Sequence, residues 1–174
     1  MTDSVLEISN LAVTFDTPDG EVEAVKGVSF RIAQGECLGI VGESGSGKSQ
    51  SFLAAFGLSS DNAAVSGSVK FKGREVLGLP RKDLDTIRGR HVAFVFQDPL
   101  TALTPHMSIE AQMSEVLAHH FQITGAAART RAIEWLERVR IPEAARRLQQ
   151  YPHELTGGMR QRVSLACAVV HQPT

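Results

Sequence analysis

The sequence has few of the features that mark secreted, membrane-spanning or nucleic-acid-coating proteins. Its 174 residues include only two cysteines, which is too few for a disulfide framework and fits a reducing cytosol. The longest apolar stretch, 163–170, contains a serine and is far shorter than the roughly 20 residues of a membrane span. Residues 1–10 lack the basic and apolar regions of a signal peptide. Because 18 Lys and Arg balance 19 Asp and Glu, nucleic acid is not an expected partner.

The first third of the sequence predicts antiparallel strands. Apolar residues alternate in part along a first strand, at Leu6, Ile8, Leu11, Val13 and Phe15. Residues 17–20, Thr-Pro-Asp-Gly, form a turn signal, and 22–32 alternate again. Residues 65–71 predict a further strand. A hairpin or meander is therefore expected at the start of the fold.

Two short apolar runs, 37–41 and 91–96, predict buried strands, since a continuous apolar run is typical of a strand covered on both faces. Helical periodicity dominates the rest of the sequence. The expected helices are 48–56, 80–88, 108–120, 126–140 and 158–170. Strands come first and helices later, which predicts an α/β core followed by a mostly helical subdomain after about Gln97.

One segment matches the phosphate-loop pattern G-x-x-x-x-G-K-[ST] in full. It consists of Gly42, Glu43, Ser44, Gly45, Ser46, Gly47, Lys48 and Ser49, with Gln50 next on the predicted helix. Its glycines let backbone N–H groups point at phosphate oxygens, and the following helix adds its positive end. Lys48 supplies a charge for the β- and γ-phosphates, and the Ser49 hydroxyl a ligand for Mg²⁺. The loop predicts a nucleotide-binding site without distinguishing kinases, GTPases, helicases and transporter ATPases.

A second helix N-terminus has Thr156 as its predicted N-cap, followed by Gly157 and Gly158. Alone, these residues are explained as well by an ordinary cap. With the phosphate loop, the stretch L-T-G-G-M-R-Q-R resembles the signature motif of ABC-type ATPases, usually written L-S-G-G-Q. Thr156 keeps the hydroxyl of the usual Ser, whereas Met159 stands where Gln is most usual. The resemblance implies a head-to-tail dimer with a second ABC ATPase subunit, in which residues 156–159 cover ATP held by the partner's phosphate loop.

Further segments are similar to the same family. Phe96-Gln97-Asp98-Pro99 resembles its Q-loop, which implies that Gln97 contacts Mg²⁺-bound water and the attacking water. Phe15 stands where the family places an aromatic ring that stacks on adenine, although a lone aromatic residue is more often part of a core. The resemblance thus implies ATP and Mg²⁺ as cofactors, Lys48 and Gln97 as catalytic residues, and Ser49 and Gln97 as metal ligands.

Two stretches indicate a branch of the family. Q-D-P…L-T-P in 97–105 and Y-P-H-E in 151–154 resemble the ATP-binding subunits of dipeptide and oligopeptide importers. This implies transmembrane permease partners facing residues 100–106, and a peripheral position on the cytoplasmic face of the membrane. Nickel and glutathione importers share much of this sequence, so the identity of the transported substrate stays open. Two further classes of protein also stay open: a nucleotide-binding fragment that never hydrolyses ATP, and a soluble DNA-repair or translation ATPase.

The resemblance covers 6–174 as an ABC transporter ATP-binding domain, with a nucleotide-binding core at 6–97 and a helical subdomain at 98–160 that carries the signature. The implied fold is an α/β, P-loop (RecA-like) core with an N-terminal antiparallel β subdomain and an inserted helical subdomain. The family's Walker B aspartate and catalytic glutamate would follow residue 174, so we expect a truncated domain that hydrolyses ATP very slowly. The run 37–41 should then have an unpaired apolar edge.

Overall fold

The computed structural model describes residues 4–96, 102–170 and 172. The chain divides between Asp85 and Thr86 into two compact units. The first unit is built on four antiparallel strands: β1 (Ser4–Thr17), β2 (Gly20–Ala33), β3 (Ala63–Phe71) and β4 (Arg74–Glu75). Their order in the sheet is β2-β1-β3-β4, so that β1 is covered by a neighbour on each edge.

Strands β1 and β2 form the expected hairpin. Thr17 pairs with Gly20 across the turn, and the Thr17 hydroxyl donates a hydrogen bond of 2.7 Å to the Gly20 carbonyl. On its other edge β1 pairs with β3, where Leu6 lies opposite Phe71 and Phe15 opposite Ala63. The predicted hairpin and the predicted strand at 65–71 are both confirmed.

A β-bulge explains why the apolar alternation of β1 is only partial. Leu6 and Ile8 are buried, and so are Leu11 and Val13, although the second pair falls on the opposite parity. The register with β2 shifts between Ile8 and Leu11, where Asn10 adopts φ 49°. The extra residue of a bulge exchanges the two faces of a strand, so both pairs reach the same core.

Helix α1 (Lys48–Ala55) belongs to the first unit, and helix α2 (Arg81–Ile87) crosses the division at residues 85 and 86. Helix α1 packs on the sheet through Ala54, which lies in one buried cluster with Val13 and Val25. In α2, Leu84 and Ile87 are buried. Both predicted helices are confirmed to within a residue at each end.

The predicted strands at 37–41 and 91–96 are wrong for the described residues. Neither run forms a strand ladder, and the second is approached only by an isolated bridge between Arg88 and Val92. Val41 is 93% exposed and Phe96 is 50% exposed. An apolar run becomes a strand only where a neighbouring backbone pairs with it, and no strand of the described residues pairs with either run.

The second unit is helical. Its elements are α3 (Ile109–Phe121), α4 (Gly125–Arg138), α5 (Ala144–Arg147), a 3₁₀ turn (Pro152–Glu154) and α6 (Gly157–Val169). Side chains at helical spacing form one core, including Ile109, Met113 and Leu117 of α3 and Ala128, Ala132 and Leu136 of α4. The three predicted helices of this region are confirmed, because their apolar stripes have each other to pack against.

Candidate nucleotide-binding site

Helix α1 begins directly after the glycine-rich loop. Gly45 has φ 81° and Gly47, the N-cap residue, has φ 83°, both in the left-handed region that favours glycine. The left-handed conformation of these two glycines directs the loop backbone toward the start of the helix. The first N–H groups of α1 have no acceptor within the helix, and they add to the positive end of its dipole. The local geometry is that of an anion-binding helix N-terminus.

The Lys48 side chain folds back over the loop. Its Nζ donates to the carbonyl oxygen of Gly42 at 2.7 Å, to that of Glu43, and to the hydroxyl oxygen of Ser46 at 3.1 Å. The loop closes so tightly that a Cβ on Gly42 would lie 2.9 Å from the Ser46 Oγ. Three oxygen acceptors therefore hold the ammonium group above the loop, where phosphate oxygens could replace them.

Two concavities open at the loop. One, of about 230 Å³, is lined by Ala24 and by residues 45–50. The other, of about 540 Å³, is lined by Gly42 and Lys48 together with apolar residues that include Val28, Phe30 and Ile40. The lining by β2 residues, among them Ala24 and Val28, was not predicted from the sequence, because it depends on how α1 packs on the sheet. Of the predicted loop residues, Gly42 and residues 45–50 line these concavities, and their binding of a nucleotide stays a prediction.

Phe15 lies elsewhere on the same unit. It is half-buried on β1 and packs against the cluster of Val13, Val25 and Ala54. This contact ties the ring to the helix that follows the phosphate loop, and it accounts for the position of the ring as a core residue. Stacking of Phe15 on adenine stays a prediction.

Of the two predicted Mg²⁺ ligands, Ser49 and Gln97, only Ser49 lies within the described residues. Ser49 is exposed on the first turn of α1, so its hydroxyl is accessible. Gln97 and Asp98 lie outside the described residues. Within 4–96, 102–170 and 172, no group of three or more His, Cys, Asp and Glu side chains is arranged to hold a metal ion. Ser49 thus fits Mg²⁺ as one oxygen ligand among several, the pattern usual where nucleotide phosphates supply others.

The predicted N-cap at Thr156 is confirmed. Its Oγ1 accepts a hydrogen bond of 3.4 Å from the backbone N–H of Met159. Thr156, Gly157 and Gly158 are exposed, and a Cβ on either glycine would meet open space. The Met159 side chain is only 8% exposed and belongs to the helical core. Any part of Met159 in ligand binding therefore rests on its backbone.

Residues on both sides hold this helix start in place. Leu155 is buried, and the Tyr151 N–H donates to the Glu154 carboxylate at 2.8 Å, which closes the 3₁₀ turn. On the helix itself, Arg162 donates through Nε to the Gly158 carbonyl at 3.2 Å and through a second nitrogen to the Arg140 carbonyl. Arg162 was not singled out from the sequence. Its only local signal is its position one helical turn after Gly158.

The comparison with known families agrees with the two motifs. The profile described as ABC transporter matches residues 25–174. The chain belongs to the ABC transporter family. The match includes both the phosphate loop and the signature stretch before α6.

Curated relatives of this ABC transporter chain are ATP-binding proteins. It is 47% identical over 169 residues to the oligopeptide transport ATP-binding protein OppD of Salmonella typhimurium, covering 97% of this chain and 50% of that protein. It is 43% identical over 171 residues to the OppD protein of Bacillus subtilis, covering 97% of this chain and 48% of that protein. The chain thus spans about half the length of these relatives.

A solved structure shares the fold of this ABC transporter chain. A dimeric ATP-binding cassette, in a post-hydrolysis state bound to ADP and Pi, superposes with a TM-score of 0.85 at 28% identity, covering 97% of this chain and 70% of that one. This confirms the α/β fold of an ABC ATPase cassette, with an antiparallel sheet and helices. Within the described part of the chain, no helix has the length and apolar character needed to cross a bilayer.

Proposed function

We propose that this chain is part of the ATP-binding subunit of an ABC importer, in which ATP binding and hydrolysis drive the uptake of dipeptides or oligopeptides. The observation that carries the proposal is the phosphate loop, where the Lys48 ammonium group and the start of α1 converge. Membership of the ABC transporter family supports the use of ATP. The names of the curated relatives support a peptide as the transported substrate.

ATP is held through its phosphates by residues 42–50. The loop N–H groups and the positive end of α1 bind phosphate oxygens, and Lys48 exchanges its loop acceptors for the β- and γ-phosphates. Phe15 stacks on the adenine. Ser49 and Gln97 hold Mg²⁺, which neutralises the charge on the phosphates when it is bound.

A second copy or a related ABC ATPase subunit completes the site. The exposed residues Thr156, Gly157 and Gly158 cover the γ-phosphate held by the partner, through a helix N-terminus whose dipole favours the negative charge. Burial of Met159 supports this arrangement, since it anchors the first turn of α6 while leaving the two glycines exposed. The dimeric state of the solved cassette with ADP and Pi is the precedent for such pairing.

Hydrolysis in this family also depends on a Walker B aspartate and a catalytic glutamate. Lys48 and Gln97 position the γ-phosphate and the water. No aspartate and glutamate in the 174 residues match the family's Walker B and catalytic positions. The chain by itself is therefore expected to bind ATP weakly or to fold poorly and to hydrolyse ATP very slowly, because none of its acidic residues matches the family's general base.

The transport partner is a transmembrane permease. Residues 100–106 form the surface that receives a short cytoplasmic segment of this permease, and the ATP-binding subunit is peripheral on the cytoplasmic face of the membrane. Of these residues, 102–106 lie within the described part of the chain. Closure of the ATP-bound dimer moves this surface and drives the permease, and hydrolysis resets it.

A paired substitution in the full-length protein tests the proposal. Lys48→Ala should weaken ATP binding by about 2 kcal/mol, or roughly 30-fold, because a charge-assisted contact to the phosphates is lost. Lys70→Ala removes an exposed lysine from β3 and serves as the matched control. ATP affinity is measured by titration calorimetry and turnover by phosphate release. Equal affinities in the two variants, or no saturable ATP binding by the wild type, would refute the proposal.

Uptake assays distinguish the substrate. Vesicles that carry the full-length subunit and its permease should take up labelled dipeptides or oligopeptides only when ATP is present on the side of the membrane that holds the ATP-binding subunit. Labelled nickel and glutathione are the comparison substrates, since importers of both share much of the sequence. Preferential uptake of nickel or glutathione would mean that the transported substrate is not a peptide. The proposed ATP site would be unaffected by that result.

A further inference from the structure

The Gln112 carboxamide binds the backbone of the turn that precedes α3. Its Oε1 accepts a hydrogen bond of 2.9 Å from the Thr104 N–H. Its Nε2 donates to the Thr104 carbonyl at 3.1 Å and to the Met107 carbonyl at 2.9 Å. The amide thus uses its acceptor and both of its donors on one turn, which only glutamine or asparagine chemistry permits.

The turn held in this way is fixed at each end and exposed in the middle. Leu103 is 4% exposed and belongs to the helical core. Ser108 caps α3, accepting from the Ala111 N–H at 3.2 Å. Between them, Pro105 and His106 are exposed. The Gln112 contacts therefore give a defined shape to a segment whose two outermost side chains face solvent.

A short surface turn of this kind gains little rigidity from its own backbone. Among the backbone–backbone hydrogen bonds around it, the Met107 N–H donates to the Thr104 carbonyl at 3.2 Å, and Pro105 has no N–H to donate. The Gln112 side chain adds three hydrogen bonds between the turn and α3. Because α3 is a regular helix, these bonds make the turn more rigid. A preordered surface loses less conformational entropy when a partner binds it.

We propose that Gln112 is a positioning residue, whose carboxamide holds the 104–107 turn in the shape that docks on the transmembrane permease. This rests on the proposed importer function, because it specifies how the subunit presents its permease-facing surface. Gln112 itself is half-buried beneath the turn and acts through Pro105 and His106. Substitution of Gln112 should weaken docking of the subunit on the permease without changing the rate of ATP hydrolysis once the permease is docked.

Two substitutions separate hydrogen bonding from packing. Gln112→Met keeps a similar length and volume but removes all three hydrogen bonds. Gln112→Glu keeps an acceptor for the Thr104 N–H and directs its second oxygen at two carbonyl groups, which is repulsive. Gln149→Met is the matched control, since Gln149 is an exposed glutamine two residues after the end of α5.

The experiment titrates the permease against the full-length subunit and measures permease-stimulated ATP hydrolysis. In both Gln112 variants the half-saturating permease concentration should rise by about tenfold, because the docking turn must be ordered on binding. The maximal rate at saturating permease should stay within about twofold of the wild-type rate. Gln149→Met should follow the wild-type curve. A circular dichroism melt of each variant accompanies the titration.

Three results would overturn the proposal. An unchanged half-saturating concentration in both Gln112 variants refutes the positioning role. A lower maximal rate with an unchanged half-saturating concentration also refutes it, since a purely structural defect reduces the amount of active protein. If the wild-type subunit itself shows no saturable response to the permease, the proposed importer function fails, and the role of Gln112 fails with it.

Discussion

The carbonyl oxygen of Ala24 lies only 2.1 Å from the position that a Cβ on Gly47 would occupy. Strand β2 therefore approaches the phosphate loop so closely that no side chain fits between them. Gly45 has nearly the same backbone conformation, with φ 81° against 83°, but a Cβ there would meet open space. Two glycines of one motif are thus required for different physical reasons.

This contrast predicts unequal costs for two alanine substitutions. Gly45→Ala should destabilise the protein by about 1–2 kcal/mol, the cost of a left-handed conformation with a Cβ. Gly47→Ala should cost about 1–3 kcal/mol more, because the new methyl group collides with a backbone that can move only with β2. Urea denaturation of the full-length protein without nucleotide measures both losses. Equal losses of stability in the two variants would mean that β2 leaves room for a side chain at position 47.

The cap of α6 predicts a difference between two substitutions of Thr156. Thr156→Val keeps the shape of the side chain but removes the oxygen that accepts the Met159 N–H, at a cost of about 1 kcal/mol. Thr156→Ser keeps that oxygen and should be close to neutral. Thermal denaturation of the two variants side by side measures the effect. If both variants melted together, the hydroxyl would have no part in holding the helix start.

The two cysteines should differ in their reactivity. Burial raises the pKa of the Cys167 thiol to about 12, whereas Cys37 is exposed. Cys167 as a whole is half-buried and packs against the helical core. Because the thiolate is the reactive form, a maleimide at mildly alkaline pH should modify Cys37 quickly and Cys167 far more slowly. Peptide mapping identifies the modified residue, and Cys37→Ser should react only slowly in its native state. Equally fast modification of the two cysteines would contradict the raised pKa of Cys167.

His120 predicts a pH dependence of stability. Burial, and then the positive charges of His119 and Arg90, lower the pKa of His120 below its ordinary value of 6.5. Below pH 6.5 the unfolded chain binds a proton that the folded chain resists, so stability falls as the pH drops through that value toward the lowered pKa. Thermal melts between neutral and mildly acidic pH should show this loss, and His120→Asn should reduce it.

A titration of the His120 ring by NMR gives a direct check. The wild-type midpoint should lie below 6.5. Arg90→Gln should move the midpoint upward, because one of the two named positive charges is removed. A wild-type midpoint at or above the ordinary value, or no response to the Arg90 substitution, would rule out this electrostatic origin.

Local patterns in the sequence were sufficient for much of this protein. The hairpin of β1 and β2, the helices from α1 to α6 with the exception of the short α5, and the cap at Thr156 follow from alternation, helical spacing and residues with known turn or cap chemistry. The start of α1 directly after the glycine-rich loop also follows from the sequence. The patterns that predict these elements lie within a few residues along the chain, and packing between distant segments agrees with them.

Contacts between distant segments account for the rest. The runs 37–41 and 91–96 have strand-like composition, but strand formation needs a paired backbone, which no described segment provides. The bulge at Asn10, the approach of Ala24 to Gly47 and the Gln112 bonds to its turn likewise depend on partners that a local pattern does not reveal. A hydrogen bond or a collision requires two groups at one place in space, and folding alone brings them there.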